Sequence, residues 1–246
     1  MSKTRILVGF IVLFCMLFTA FEISGSESLS IISRALIVPA ITVLYFIRYK
    51  PKLCCFAMFL MLFSLAELIS VADLVPVVSN HLPYAVFYYT CNGLYALAYL
   101  VLVFHIVKSL NLKRVIKHFF VHLLVLGFLN GYLLYVLFNI ISPYLVNIGE
   151  HIVELLYTVA ILLVLSVSLI NFLYKDTRKS LLLFLGSLCI VFSEVIQIAY
   201  LYISKKDLLD IFYTTLLVLA FFLFYRQATL LDEDESSVLS GKEVFK

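Results

Sequence analysis

Glu67 and Glu194 stand inside apolar runs, LMLFSLAELISVA and LCIVFSEVIQIAY. A carboxylate in hydrocarbon costs at least ~2.5 kcal/mol on insertion scales, so such residues face a protein interior or a cavity and act there. Each follows a Phe-Ser step, Phe63-Ser64 in the first run and Phe192-Ser193 in the second. Two carboxyls in one low-dielectric site separate their proton affinities, so that one donates a proton while the other accepts one. General acid–base chemistry is therefore what this pair can carry, with no metal or organic cofactor expected.

The rest of the chain shows no rival centre. His118 and His122 have the i, i+4 spacing of a helical metal pair, but no carboxylate completes the set. The five cysteines (Cys15, Cys54, Cys55, Cys91 and Cys189) lie in apolar runs without ligand spacing and read as small packing residues. No Gly-rich phosphate loop, nucleophile elbow or Ser-His-Asp pattern occurs.

The elements that position the two glutamates follow from composition. Hydrophobic residues make up 64% of the 246 and charged residues 13%, whereas a soluble domain is about half apolar and a quarter charged. The expected class is all-α: a polytopic membrane bundle of eight helices, at about 6–23, 31–47, 53–72, 83–107, 119–140, 150–173, 180–203 and 209–230. Residues 1–231 form one domain; 232–246, opening with Asp232 to Glu235, read as an acidic, disordered tail. The first run is taken as a span rather than a cleaved signal peptide, because it exceeds a usual signal core. Fifteen of the 18 Lys and Arg fall on one side of this arrangement, leaving Arg34, Lys205 and Lys206 opposite. The positive-inside rule then puts both termini in the cytoplasm. The net charge of +3 is spread over short loops and implies no nucleic-acid partner.

In that frame Glu67 and Glu194 lie at one depth, each ~20 Å from the cytoplasmic start of its span. Other polar residues gather at the same level. Arg34 is near the outer end of span two, and Glu154 and Tyr157 open span six. Tyr88, Asn92, Tyr95 and Tyr99 form an i, i+4, i+7, i+11 stripe on span four. Gln197 lies almost one turn beyond Glu194, and Tyr213, Thr214 and Thr215 open span eight. A polar pocket toward the outer face is the expectation.

At these residues the chain resembles the YhhN family of membrane lysoplasmalogenases. That family has eight spans and two acidic signatures, similar to Ser-x-x-Gly-Asp in span three and Ser-Asp in span seven. Here they read Ser64-Leu65-Ala66-Glu67 and Ser193-Glu194. Arg34 with Pro39 loosely resembles the family's Lys-Pro, Gly93-Leu94 its Gly-Leu, and Tyr157 its span-six tyrosine. Glutamate replaces aspartate at both signatures, and Tyr99 is nearest to the family's span-four histidine. The resemblance implies hydrolysis of the vinyl-ether bond of a lysoplasmalogen or related ether lipid, with Glu67 and Glu194 as the acid/base pair. It also implies a lysophospholipid-like partner: Arg34 on its phosphate, with Tyr88, Asn92, Tyr99, Tyr157, Gln197 and Tyr213 lining chain and headgroup. The alternative is a non-enzymatic lipid or small-molecule binder, transporter or sensor on the same scaffold, its carboxyls carrying protons or holding a cationic headgroup. A bacterial inner membrane is the expected location, and the sequence does not specify an oligomeric state.

Overall fold

A computed structural model describes residues 2–48, 55–72 and 84–230. Lys50, Lys52, Cys54 and the acidic tail lie outside the described residues. Among those described, the structure is all-helical. Long apolar runs leave backbone groups no partner in lipid except each other, and the helix satisfies them within one segment.

The helices are α1 (Ser2–Ile23), α2 (Glu27–Ala35), α3 (Ile37–Arg48), α4 (Cys55–Ala72) and α5 (Tyr84–Lys108). They continue with α6 (Leu112–His118), α7 (Phe120–Ile141), α8 (Ile148–Lys175), α9 (Arg178–Ile198) and α10 (Asp207–Thr229). Seven segments among the described residues are long and apolar enough to cross a membrane: α2 with α3, α4, α5, α7 to Tyr144, α8, α9 to Ile203, and α10. The first expected span is shorter. Its apolar part, Leu7–Ile23, reaches ~26 Å at 1.5 Å per residue, a little under the hydrocarbon thickness.

Local chemistry explains the helix ends. Pro39 lacks an N–H and its ring crowds the carbonyl four residues back, at Ala35, where α2 gives way to α3. Asn111 caps α6 by accepting from the Arg114 N–H at 3.3 Å, so the basic loop after span four contains a short helix that hydropathy did not predict. The Glu150 carboxylate accepts from the Val146 and Asn147 N–H groups before α8, and the Thr177 hydroxyl accepts from the Ser180 N–H in α9. Past Ile198, α9 loosens into a π turn, Ala199–Ile203.

Contacts run from α3 to α4, α5, α8, α9, α10 and back to α3, so these spans enclose a common interior. An aromatic cluster fills its middle. Phe59 stacks on Phe221 at 5.8 Å, Phe63 meets Phe221 at 4.6 Å, and Phe224 closes edge-on against Phe59 at 5.7 Å. Helices α1 and α7 lie outside this ring. Only 11% of the α7 segment is buried, the lowest share of the seven.

A tight contact joins α9 to α10 at Gly186. A Cβ built on Gly186 meets the Phe224 ring at 2.6 Å and the Ala220 carbonyl oxygen at 3.3 Å. Phe224 is fully buried between Phe59 and Phe221 and has nowhere to move. Gly→Ala in an exposed helix interior gains up to ~1 kcal/mol. At Gly186 the sign reverses: overpacking costs ~1–3 kcal/mol, and Gly186→Ala lowers the thermal midpoint in detergent. Gly127→Ala, at a site open on every side, leaves the midpoint unchanged or raises it. Equal midpoints for the two variants would contradict this packing.

Candidate functional site

The ring brings the two glutamates into its interior. Glu67 on α4 and Glu194 on α9 are 5% and 6% exposed, so hydrogen bonds and charge partners must replace water. Most of the phenols beside them come from one helix. The Tyr99 hydroxyl donates to Glu194 Oε1 at 3.0 Å. Tyr95, about one turn earlier on α5, stands beside the Glu67 carboxyl. Tyr157 of α8 also stands close to the Glu194 carboxyl. The Tyr157 ring centre lies 6.0 Å from that of Tyr99 and 6.4 Å from that of Tyr95. Glu67 and Glu194 are thus joined through contacting phenols, and each lies within electrostatic range of the other.

The serines of the Phe-Ser steps fasten the helices that carry these acids. Ser64 shares a 2.7 Å hydrogen bond with Thr42 of α3, and Ser193 donates to the Tyr213 carbonyl of α10 at 3.1 Å. The phenylalanines differ. Phe63 is buried against Tyr95 at 4.9 Å and steadies that phenol, whereas Phe192 is 54% exposed on the outside of the ring.

A cation stands on the Glu67 side. Arg34 of α2 donates from Nη1 to Asp210 Oδ1 at 2.8 Å, with side-chain exposures of 20% and 4%. Its guanidinium lies over the Tyr213 ring, 5.2 Å from the centroid, and within electrostatic range of Glu67. Asp210 is the residue that reading the sequence missed. It sits in the first turn of α10, where an acid passes for a helix-start residue, yet it is more deeply buried than Glu67. The signal available was Arg34 itself, a cation in an apolar span that needed a counter-charge.

The other expected residues divide. Tyr88 donates to Glu154 at 3.2 Å, forming a second phenol–carboxyl pair in which Glu154 is buried. Asn92 and Gln197 are half-buried and make no side-chain hydrogen bond with another described residue. Thr214 is buried with its hydroxyl unpartnered. His118 and His122 fall on separate helices, α6 and α7, either side of the break at Phe119. Among the described residues no three His, Cys, Asp or Glu side chains converge on a metal site. Cys15, Cys55, Cys91 and Cys189 carry free thiols.

The polar side chains bond one another, and an opening that reaches Glu194 has mostly apolar walls. This narrow crevice, with room for about one water molecule, lies between α7 (Leu137), α8 (Thr158, Ile161 and Leu162) and α9 (Val191 and Val195), with Glu194 and Tyr157 at the ring side. No known protein family, curated protein or solved structure matches the chain.

Arg34 and Asp210 bind α2 to α10 across one end of the ring. Removing one member strands the other in apolar surroundings at a cost of about 3 kcal/mol, whereas replacing both restores an uncharged contact. A double-mutant cycle on thermal midpoints is expected to show strong coupling. Arg34→Met and Asp210→Leu each destabilise, and the double variant recovers most of the loss. Additive losses would dissolve the pair.

Proposed function

We propose that this chain is a membrane hydrolase of the YhhN kind, cleaving the vinyl-ether bond of a lysoplasmalogen or a related ether lipid with Glu67 and Glu194. One observation carries the reading. Two buried carboxyls from different helices are linked by contacting phenols, with a cation on one side and a narrow, mostly apolar crevice on the other. The sequence resemblance supplies the substrate class. We further propose that α1 is an eighth span, that both termini are cytoplasmic, as the Lys and Arg distribution implies, and that the membrane is a bacterial inner membrane.

The chemistry assigns the two acids different tasks. Glu194, held by Tyr99 with Tyr157 beside it and reached by the crevice, delivers its proton to the β-carbon of the vinyl ether. The C=C π pair forms the new C–H bond, leaving an oxocarbenium ion on the ether side. Glu67, facing Arg34, is the carboxylate. It stabilises this cation and takes a proton from the water that adds to it, giving a hemiacetal. The hemiacetal collapses when its hydroxyl proton is removed and the ether oxygen is protonated. The C–O bond breaks, releasing a fatty aldehyde and the glycerophospho-alcohol, and both acids return to their starting states with one water consumed. Arg34 uses one nitrogen on Asp210 and keeps further N–H donors for a phosphate.

The test is aldehyde release from a lysoplasmalogen by the protein purified in detergent. Removing a general acid costs about 10²–10⁴-fold, so Glu194→Gln and Glu67→Gln are each expected to lose at least a hundredfold. Tyr99→Phe removes one hydrogen bond to the acid, and a loss of about tenfold is expected. Full activity in the Glu67→Gln, Glu194→Gln double variant would sink the assignment. Lipid retained through purification with no turnover by the unmodified protein would favour the non-enzymatic binder instead.

A further inference from the structure

The short helix α6 is tied at both ends to long apolar segments. Three residues, Ser109 to Asn111, separate it from the end of α5, and even fully extended they reach only ~11 Å. At its other end Phe119 alone separates it from α7. Both neighbours belong to segments long and apolar enough to cross a membrane. Helix α6 is therefore held at the level where hydrocarbon gives way to headgroups.

Its side chains sort around the axis accordingly. Of its seven residues only Val115 is buried. Leu112 and Ile116, about one turn apart, are 50% and 54% exposed and form an apolar stripe. Lys113 and Lys117 flank that stripe at the same spacing, and Arg114 and His118 complete the far side; all four are exposed. Lys108, in the last turn of α5, adds a further exposed cation. Among the described residues no carboxylate pairs with Lys108, Lys113, Arg114 or Lys117. Lys175 and Lys179, where α8 meets α9, lie within electrostatic range of His105, as Lys108 does, so positive charge continues across this end of the bundle.

An excess of Lys and Arg at one end orients any membrane bundle, and that alone accounts for the charges. It does not account for a leucine and an isoleucine exposed beside them. An apolar stripe flanked by cations is the pattern of a helix lying in an anionic lipid interface. Lysine side chains there rest their methylenes on the apolar layer and extend their ammonium groups to the phosphates. A helix of seven residues is too short to be stable alone in water. Here the neighbouring segments hold its ends and the Asn111 cap starts it.

We propose that α6 is a binding site for anionic phospholipid. Leu112 and Ile116 enter the edge of the acyl layer, while Lys113 and Lys117, with Arg114 and Lys108, bind the phosphates of anionic diacyl lipids. This lipid is a bound partner and not a substrate. The site rests only on α5 and α7 crossing the membrane, and not on the chemistry proposed above.

The test places a bimane fluorophore at Ile116→Cys, in the full-length chain with its native cysteines replaced, in phosphatidylcholine nanodiscs. A minority of the lipid carries a nitroxide near the head end of one acyl chain, on either phosphatidylglycerol or phosphatidylcholine at equal mole fraction. Both are expected to quench the bimane, phosphatidylglycerol several-fold more strongly, and added salt narrows the difference. Each cation beside an anionic surface changes binding roughly fivefold, so Lys113→Gln and Lys117→Gln each cut the preference by up to about that factor. The Lys113→Gln, Arg114→Gln, Lys117→Gln variant abolishes it with an unchanged thermal midpoint, because all three side chains are exposed. Leu112→Ser lowers quenching by both lipids alike. A bimane at Val146→Cys, exposed beyond the other end of α7, shows no preference. Absence of quenching at Ile116 by either lipid would overturn the proposal, since the stripe would then face water or another protein. So would equal quenching by the two lipids, or a preference that survives in the triple variant.

Discussion

A carboxyl buried between membrane helices must be given hydrogen bonds by the protein, because neither lipid nor a dry core offers any. Everything at the centre of this bundle follows from meeting that demand twice. Helix α5 turns one face inward, and three phenols on that face each meet a different acid: Tyr88 donates to Glu154, Tyr99 donates to Glu194, and Tyr95 stands beside Glu67. The helix is in effect a row of phenols spaced so that α4, α8 and α9 can each bring a carboxyl to it. Without that row, two of the most costly side chains in the chain have no reason to stay inside.

The phenols are held in turn by packing. Phe63 meets both Tyr95 and Tyr99, and Phe59, one turn away on the same helix, also lies against Tyr99. These rings connect to Phe221 and Phe224 of α10, which lock into α9 at Gly186. Ser64 and Ser193 add polar stitches from α4 to α3 and from α9 to α10. Such bonds are individually worth less than ~2 kcal/mol in membrane proteins. Their value here is positional, since each sits within a turn of an acid and keeps its helix from rotating the carboxyl out of the ring.

What could be read from the sequence was depth, and what could not was direction. Apolar length and charge asymmetry lead one to expect Arg34, Glu67, Tyr95, Tyr99, Glu194 and Tyr213 at one level of a helical membrane bundle, and the structure brings these side chains into one neighbourhood. Azimuth depends on which helices become neighbours, and hydropathy carries no such information. Tyr95 and Tyr99 therefore looked like one lining surface, while in the fold they serve two acids. Asn92, on the same stripe, and Gln197, almost a turn beyond Glu194, stand aside from the network for the same reason. Asp210 was hidden by its place in a first helical turn. The placement of α7 outside the ring, which leaves the crevice, has no signature in an apolar run indistinguishable from its neighbours. The Asn111 cap and the Pro39 break are local signals carried by single residues in the sequence, and neither alters the apolar length or the charge asymmetry of its span.

The central claim is that Glu67 and Glu194 occupy one site, and cysteine cross-linking in the membrane tests it most directly. In a chain with its native cysteines replaced, the pair Glu67→Cys and Glu194→Cys is treated with a short thiol-to-thiol reagent. Glu67→Cys with Phe192→Cys is the control, since Phe192 lies on the outer surface of the same helix as Glu194. The account predicts rapid bridging of the first pair and little of the second. No bridging at 67 and 194, or equal bridging of both pairs, would contradict it.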